Sequence, residues 1–253
     1  YKRQFLYTAA TELGLDVSAA VRTDDPGTLV EILLSDDGVP SYSFHMDGTA
    51  DWQWREAELA TSLPVGCDAV VTGSLASVLS PGCDALAAWT RDLTERGIAL
   101  GYDPNARPSA LATHDADVIR GRIAQWVRAS TVVKVSDEDL AWIAPGQAPQ
   151  DVAAQWSTWG PELVVLTGGP HGAWAMRNGS HVVHVNAPQI DVVDTVGAGD
   201  TLMAWLIGGL MDLPASQRYS PDEVSMVLDR AVRAAAVTCT RQGCVPPAAE
   251  DVM

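Results

Sequence analysis

Apolar positions in this chain recur in two different rhythms, and the change between them falls near Ala69. Ahead of it, Lys2 to Leu13 carries Phe5, Leu6, Ala9, Ala10 and Leu13 at helical spacing, which predicts an amphipathic helix closed by Gly14. Leu15-Asp16-Val17 leads into the alternating run Leu29 to Leu34, and Asp36-Asp37-Gly38 reads as a turn. Ser41 to Met46 then sets Tyr42, Phe44 and Met46 against Ser41, Ser43 and His45, the period of a strand with one apolar face. This hairpin precedes any βαβ repeat, so residues 28–46 are expected to form a small β lid apart from the main sheet.

From Ala69 short apolar runs alternate with helical stretches. Ala69 to Thr72 ends at Gly73-Ser74 and is followed by a helix over Cys83 to Arg96. Ile98 to Tyr102 ends at Asp103-Pro104-Asn105 and precedes a helix from about Ala116 to Arg128. Thr131 to Val135 meets a short helix opened by Ser136-Asp137-Glu138-Asp139, where Ser136 as N-cap and Asp139 three residues on resemble a capping box. Leu163 to Thr167 ends at Gly168-Gly169. Four apolar strands separated by helices predict a parallel α/β sheet covered on both faces, with ligands at the strand ends where polar residues gather. Beyond Thr167 the pattern becomes antiparallel: Ala173 to Arg177 and His181 to Val185 flank Asn178-Gly179-Ser180, a type I′ hairpin signal. Helices over Leu202 to Met211 and Pro221 to about Thr240 follow, and Gly243 to Pro247 ends the second. No repeat, low-complexity run or linker interrupts residues 1–253, which read as a single domain.

Charge narrows the function. A formal net charge of −16 argues against nucleic acid or an anionic membrane as partner, since both select a basic surface. It leaves ATP open, because amides and Mg²⁺ offset phosphate charge locally. The four cysteines, Cys67, Cys83, Cys239 and Cys244, include no Cys-x-x-Cys pair, so reduced thiols in a cytoplasm are expected rather than disulfides. No apolar run approaches the roughly 20 residues of a membrane span, and the start does not resemble a signal peptide. Asn178-Gly179-Ser180 also matches a glycosylation acceptor, but the turn accounts for it better.

The chemistry concentrates in Asp191 to Thr201. Gly197 and Gly199 lack a Cβ, so the chain can turn sharply and an anion can approach its N–H groups. A helix beginning there adds unpaired amides and the positive end of its dipole, a seat for phosphate or an oxyanion. Asp200 conflicts with an anion site unless it is a base, taking the proton of a hydroxyl that attacks a phosphoryl group held by the amides. The competing reading is an ordinary helix start with an acidic first turn. No third glycine follows at dinucleotide-fingerprint spacing.

The string Asp194-Thr195-Val196-Gly197-Ala198-Gly199-Asp200 resembles the signature of the ribokinase-like (PfkB) sugar kinases. The resemblance runs from about Ala9 to Val252 through Thr72-Gly73-Ser74-Leu75, Asp103-Pro104-Asn105-Ala106-Arg107, Lys134 to Asp139 and Thr167 to Gly172. The Asp-Pro-Asn-x-Arg and Ser-Asp-Glu-Asp forms look most like bacterial fructokinases. It implies a three-layer α/β/α sandwich with a mainly parallel sheet and a β lid. It also implies transfer of the γ-phosphoryl group of MgATP to a sugar hydroxyl, most simply of fructose. Ribose, 2-keto-3-deoxygluconate or a nucleoside are rival acceptors, and a non-catalytic sugar- or nucleotide-binding relative is the rival class.

By the same resemblance Asp200 is the catalytic base, with Gly197, Ala198 and Gly199 as its anion hole. Thr167, Gly169 and Gly172 form a nucleotide loop, which the residues alone leave open against a hairpin entry needing glycine and the resemblance favours, and Ala236 and Cys239 lie against adenine. Asp103, Asn105 and Arg107 stand near the phosphoryl donor and sugar; the alternatives are a plain turn and a salt bridge. Ser136 and Asp139 replace the family's Asn and Glu, so Asp139 is expected at Mg²⁺ through water, with helix capping as the alternative. Asp194 and Val196, completed by the Gly243 region, imply a site for K⁺, and the resemblance also implies a homodimer through the lid. Tyr42 and Phe44 could cover a sugar or simply pack the lid. Relatives open with an Asp-bearing strand and a Gly-Gly segment that grips sugar hydroxyls, whereas this sequence begins in what looks like a later helix.

Overall fold

The computed structural model describes residues 2–34, 40–60 and 63–252. Helix α1 (Lys2–Glu12) ends as expected near Gly14, although Leu13 is 74% exposed and the apolar stripe is not buried at that end. Strands β1 (Leu29–Leu34) and β2 (Pro40–His45) pair antiparallel in a sheet of their own, from Leu29 opposite His45 to Leu34 opposite Pro40. The Asp36-Asp37-Gly38 turn and the Tyr42 side chain lie outside the described residues. Phe44 and Met46 pack against the main core together with Trp52 and Trp54, so packing accounts for Phe44.

A short helix α2 (Glu56–Ala60) precedes the main sheet. Its strands are β3 (Ala69–Gly73), β4 (Ala99–Asp103), β5 (Val132–Ser136), β6 (Leu163–Thr167), β7 (Ala173–Arg177) and β8 (Ser180–Val185), hydrogen-bonded in that sequential order. The first four run parallel and the last two antiparallel. Asn178 and Gly179 take φ of 51° and 77°, both positive as a type I′ turn demands.

Helices α3 (Gly82–Glu95), α4 (Ala116–Ala129), α5 (Asp137–Ile143) and α6 (Pro149–Trp156) connect the parallel strands. With strands in sequential order, right-handed crossovers place all of them on one face. Side chains of alternating parity then split into two cores. Tyr102, Val133, Val135, Val164 and Leu166 meet Leu86, Ile119, Ile123, Trp126, Leu140 and Trp156 of that helical layer. Val132, Leu163, Val165, Ala173 and Ala175 face Leu202, Leu206, Leu210, Leu228 and Ala231 of α7 (Ala198–Met211) and α8 (Pro221–Cys239). The architecture is thus the expected mainly parallel sheet between two helical layers, with a small antiparallel sheet beside it.

Two elements depart from expectation. Helix α7 begins at Ala198 rather than Leu202, so the glycine-rich string forms the first helical turn instead of a loop ahead of it. Helices α2 and α6 were not foreseen; α6 is short, and its N-cap, Ala148, offers no side-chain bond.

Candidate active site

Period-two alternation positions the site. Gly101 and Asp103 on β4, and Val132 and Lys134 on β5, point to the face covered by α7. At Gly101 a Cβ would stand 2.7 Å from Met203 Cε and 3.0 Å from Ile207 Cδ1, so a side chain there would make these α7 residues shift. The helix can therefore lie close over β4, which brings its first turn to the strand ends.

In that turn Gly197 is the N-cap, in the left-handed region at φ 82°. Ala198 N–H donates to the Thr195 carbonyl and Thr201 N–H to Gly197. Among the described residues the N–H groups of Gly199 and Asp200 between them meet no acceptor. The Asp200 side chain is exposed beside them. Thr201 Oγ1 meets Thr238 Oγ1 at 2.9 Å in the buried interior, tying this turn to the end of α8.

Beneath the turn lies a charge that the sequence reading passed over. Lys134 Nζ donates to Asp103 Oδ2 at 2.9 Å, with side chains only 6% and 9% exposed. A Cβ on Gly199 would stand 2.8 Å from that ammonium, so glycine there leaves room for Lys134. Burial pushes the Asp103 carboxyl up from its ordinary value, Lys134 pulls it back, and the charges of Asp139 and Asp200 add to the upward push. Asp103, Asp139 and Asp200 are therefore electrostatic neighbours.

The Asp103–Arg107 loop is held from both sides. Asp103 Oδ1 accepts from Asn105 N–H at 3.1 Å, Ser74 Oγ donates to the Asn105 carbonyl, and Ala106 N–H donates to Asp139 Oδ1 at 2.7 Å. Asn105 sits at φ 36°, a left-handed position that Asn tolerates better than most residues. Arg107 is exposed, and among the described residues it has no ion-pair partner, so the salt-bridge reading fails.

Asp139 Oδ2 accepts from Ser136 Oγ at 2.7 Å and Ser136 N–H at 3.2 Å, and Asp139 N–H donates to Ser136 Oγ at 3.0 Å. This is the capping box read from the sequence, built with Asp as its third member. Both carboxylate oxygens thus have protein donors, and the group anchors α5 and the Asp103 loop together.

Thr167 pairs in register with Ser136, so the nucleotide-loop candidate begins beside the same strand end. The turn Gly169–His171 follows, and Gly168 N–H donates to the Gly172 carbonyl at 2.9 Å. A Cβ on Gly172 (φ 85°) would lie 2.0 Å from the Val185 carbonyl, so this glycine also serves the hairpin entry. His171 is exposed.

Asp194 joins the other flank. Its Oδ1 accepts from Val196 N–H at 3.0 Å and its Oδ2 from Gly243 N–H at 2.9 Å. Those donors, with Thr195 N–H, hold its carboxyl below the usual value. The Cys239 carbonyl accepts from Val193 and Asp194 N–H, and Cys244 Sγ lies 2.3 Å from where a Gly197 Cβ would be. Ala236 and Cys239 are half-buried on the last turns of α8, on this same flank.

Among the sequence-derived candidates, Asp103, Asp139 and Asp200 are thus electrostatic neighbours, Thr167 lies beside Ser136, and Asp194 is tied to Gly243 and Cys239, while Arg107 is exposed. Lys134 falls within the Lys134 to Asp139 string but is given no role of its own there. A lysine inside an apolar strand was the available signal, since a buried ammonium calls for a partner.

A family model described as pfkB family carbohydrate kinase matches residues 2–251. A fructokinase from Rhizobium leguminosarum bv. trifolii is 34% identical over 216 residues, 84% of this chain and 64% of that protein. A probable chloroplastic fructokinase of Arabidopsis thaliana is 29% identical over 74% of this chain and 49% of its own length. The chain therefore spans about half to two thirds of the length of these relatives. A fructokinase from Xylella fastidiosa with bound ATP superposes with a TM-score of 0.83 at 20% identity, over 95% of this chain and 76% of that one. One from Vibrio cholerae, a double mutant in a fructose, ADP and potassium ion bound form, superposes at 0.81, with 20% identity and the same coverage. At such identities these structures establish the fold. With the family model spanning nearly all of the sequence, the chain belongs to the pfkB family of carbohydrate kinases.

Proposed function

We propose that the protein transfers the γ-phosphoryl group of ATP to a sugar hydroxyl, with fructose as the acceptor. The reading is carried by one observation: the unpaired N–H groups of Gly199 and Asp200 at the start of α7, with the exposed Asp200 carboxylate beside them at the strand ends. The amides and helix dipole stabilise charge on the transferring group, and Asp200 removes the hydroxyl proton, a contribution of ~10²–10⁴ in rate. The fructokinase relatives favour fructose over ribose, 2-keto-3-deoxygluconate or a nucleoside.

ATP would run from this corner toward Thr167, Gly169 and Gly172, with adenine near Ala236 and Cys239, and the Asp103–Arg107 loop would meet the acceptor. The hard oxygens of Asp139 suit Mg²⁺. Three protein donors already occupy most of that carboxylate's lone pairs, which favours contact through water over direct ligation. Bound Mg²⁺ would neutralise phosphate charge. The Val196 carbonyl, beside an Asp194 carboxylate engaged with backbone amides, is the donor that suits K⁺ on the opposite flank. The same reading holds the protein to be cytoplasmic and leaves the lid as its dimer surface.

The test is ATP consumption with Mg²⁺ and K⁺ over a panel of sugars and nucleosides, beside Asp200→Asn. Expected are turnover with fructose and a fall of at least ~10² in the variant with ATP affinity kept. Near-normal turnover in Asp200→Asn removes that residue from the role. No turnover with any acceptor while sugar still binds makes the protein a binding relative.

A further inference from the structure

Lys134 is not needed to complete a strand. At its position on β5 an aliphatic side chain would satisfy the α7-facing core that its neighbour Val132 already joins. Instead a side chain only 6% exposed carries an ammonium with three N–H donors to the underside of the α7 N-terminus. One donor goes to Asp103 Oδ2 at 2.9 Å. No acceptor is found for the other two among the described residues. The ammonium lies 2.8 Å from the Cβ position of Gly199, whose own N–H is unpaired. Two spare ammonium protons thus lie beneath a helix turn whose Gly199 and Asp200 N–H groups are also spare, with the exposed Asp200 carboxylate beside it. An anion is the ligand that answers such a set. Asp103 holds the lysine beneath the turn through a single carboxylate oxygen, its other oxygen being occupied by Asn105 N–H.

We propose that Lys134 is a phosphate-binding residue of the Gly197–Asp200 corner, its buried ammonium drawing the terminal phosphate of a nucleoside triphosphate onto the Gly199 and Asp200 amides. The inference rests on the kinase reading for the identity of the anion. Gly199 then has a second duty beyond backbone freedom: a side chain there would push the ammonium off its line. Arginine would not replace the lysine, because its wider planar head does not fit the space that a Cβ at 199 would already fill.

The test compares ATP and adenosine binding by calorimetry in wild type, Lys134→Met and Lys134→Met with Asp103→Asn. The double variant removes both buried charges, so it keeps the core neutral if the single variant fails to fold. A hydrogen-bonded charge on a phosphate corresponds to roughly a 10- to 100-fold change in affinity. The double variant should therefore lose about that factor for ATP through its missing N–H donors, with adenosine affinity held within ~2-fold. ATP affinity within ~2-fold of wild type would overturn the proposal, as would equal losses for ATP and adenosine, which indicate a structural pair only. If the wild type binds ATP and phosphorylates nothing, the kinase reading fails and this comparison still decides the role of Lys134. If the wild type phosphorylates sugar while the double variant binds ATP normally, the lysine proposal fails alone.

Discussion

Asp139→Ala separates the two jobs open to that carboxylate. It is 8% exposed, and three donors converge on it: Ala106 N–H on Oδ1, and Ser136 Oγ and N–H on Oδ2. Hydrogen bonds to an ionised acceptor contribute about 1.5–3 kcal/mol each where the donor is left stranded. Ser136 and Ala106 are half-buried, so water recovers part of that loss. Truncation leaves the Ser136 Oγ bond to the residue-139 N–H in place, limiting the capping loss to about 1 kcal/mol. The loop tether adds a stranded Ala106 amide, and the sum is ~3 kcal/mol. For a chain of this length, 2–4 °C per kcal/mol makes that a fall of roughly 6–12 °C in Tm. Ser136→Ala, which leaves the Ala106 bond intact, should cost about 1 kcal/mol. The assay is thermal unfolding by circular dichroism without nucleotide or metal, followed by turnover against Mg²⁺ concentration on Asp139→Asn. A Tm within about 2 °C of wild type for Asp139→Ala would refute the tether. If Asp139→Asn loses stability but keeps the Mg²⁺ dependence of the wild type, the group is structural alone.

Gly172→Ala and Gly243→Ala test close approach against backbone strain, since both glycines are left-handed at φ 85° and 74°. Nothing lies within 4 Å of a Cβ at 243, whereas at 172 the Val185 carbonyl lies at 2.0 Å. Gly243→Ala should cost about 1 kcal/mol, and Gly172→Ala roughly 2 kcal/mol more through backbone displacement; equal Tm losses would contradict this. Asp194 supplies a pH dependence. Its folded carboxyl lies below the ordinary 3.8, so its stabilising share is complete above that value and disappears as pH falls through the lowered one. Tm-versus-pH curves of wild type and Asp194→Asn should therefore converge on acidification, and curves that stay parallel would argue against the Gly243 tether.

How much was legible depended on the range of the interaction responsible. The apolar strands could be read because burial on both faces leaves few polar residues in them, and the Asn178-Gly179 turn because its φ values restrict residue choice. Ser136 and Asp139 announced their capping box three residues apart. The start of α7 was displaced because Gly197-Ala198-Gly199 has poor helix propensity, and packing over Gly101 overrides it. Asp139 to Ala106, Asp103 to Lys134 and Asp194 to Gly243 connect residues 31 to 49 positions apart. No local pattern encodes such pairs, so the sequence could nominate Asp103, Asp139 and Asp194 without giving their partners.

The order of the strands has a consequence for synthesis on the ribosome. By the time Val185 has emerged, every strand of the six-stranded sheet exists and its first face can already be clad by α3 to α6. The opposite face, with Val132, Leu163 and Val165, stays bare until α7 and α8 follow. A nascent chain paused in that interval presents an apolar slab that chaperones recognise. Its glycine turn has not yet settled over Lys134, so the Gly197–Asp200 corner is assembled only as the last layer closes.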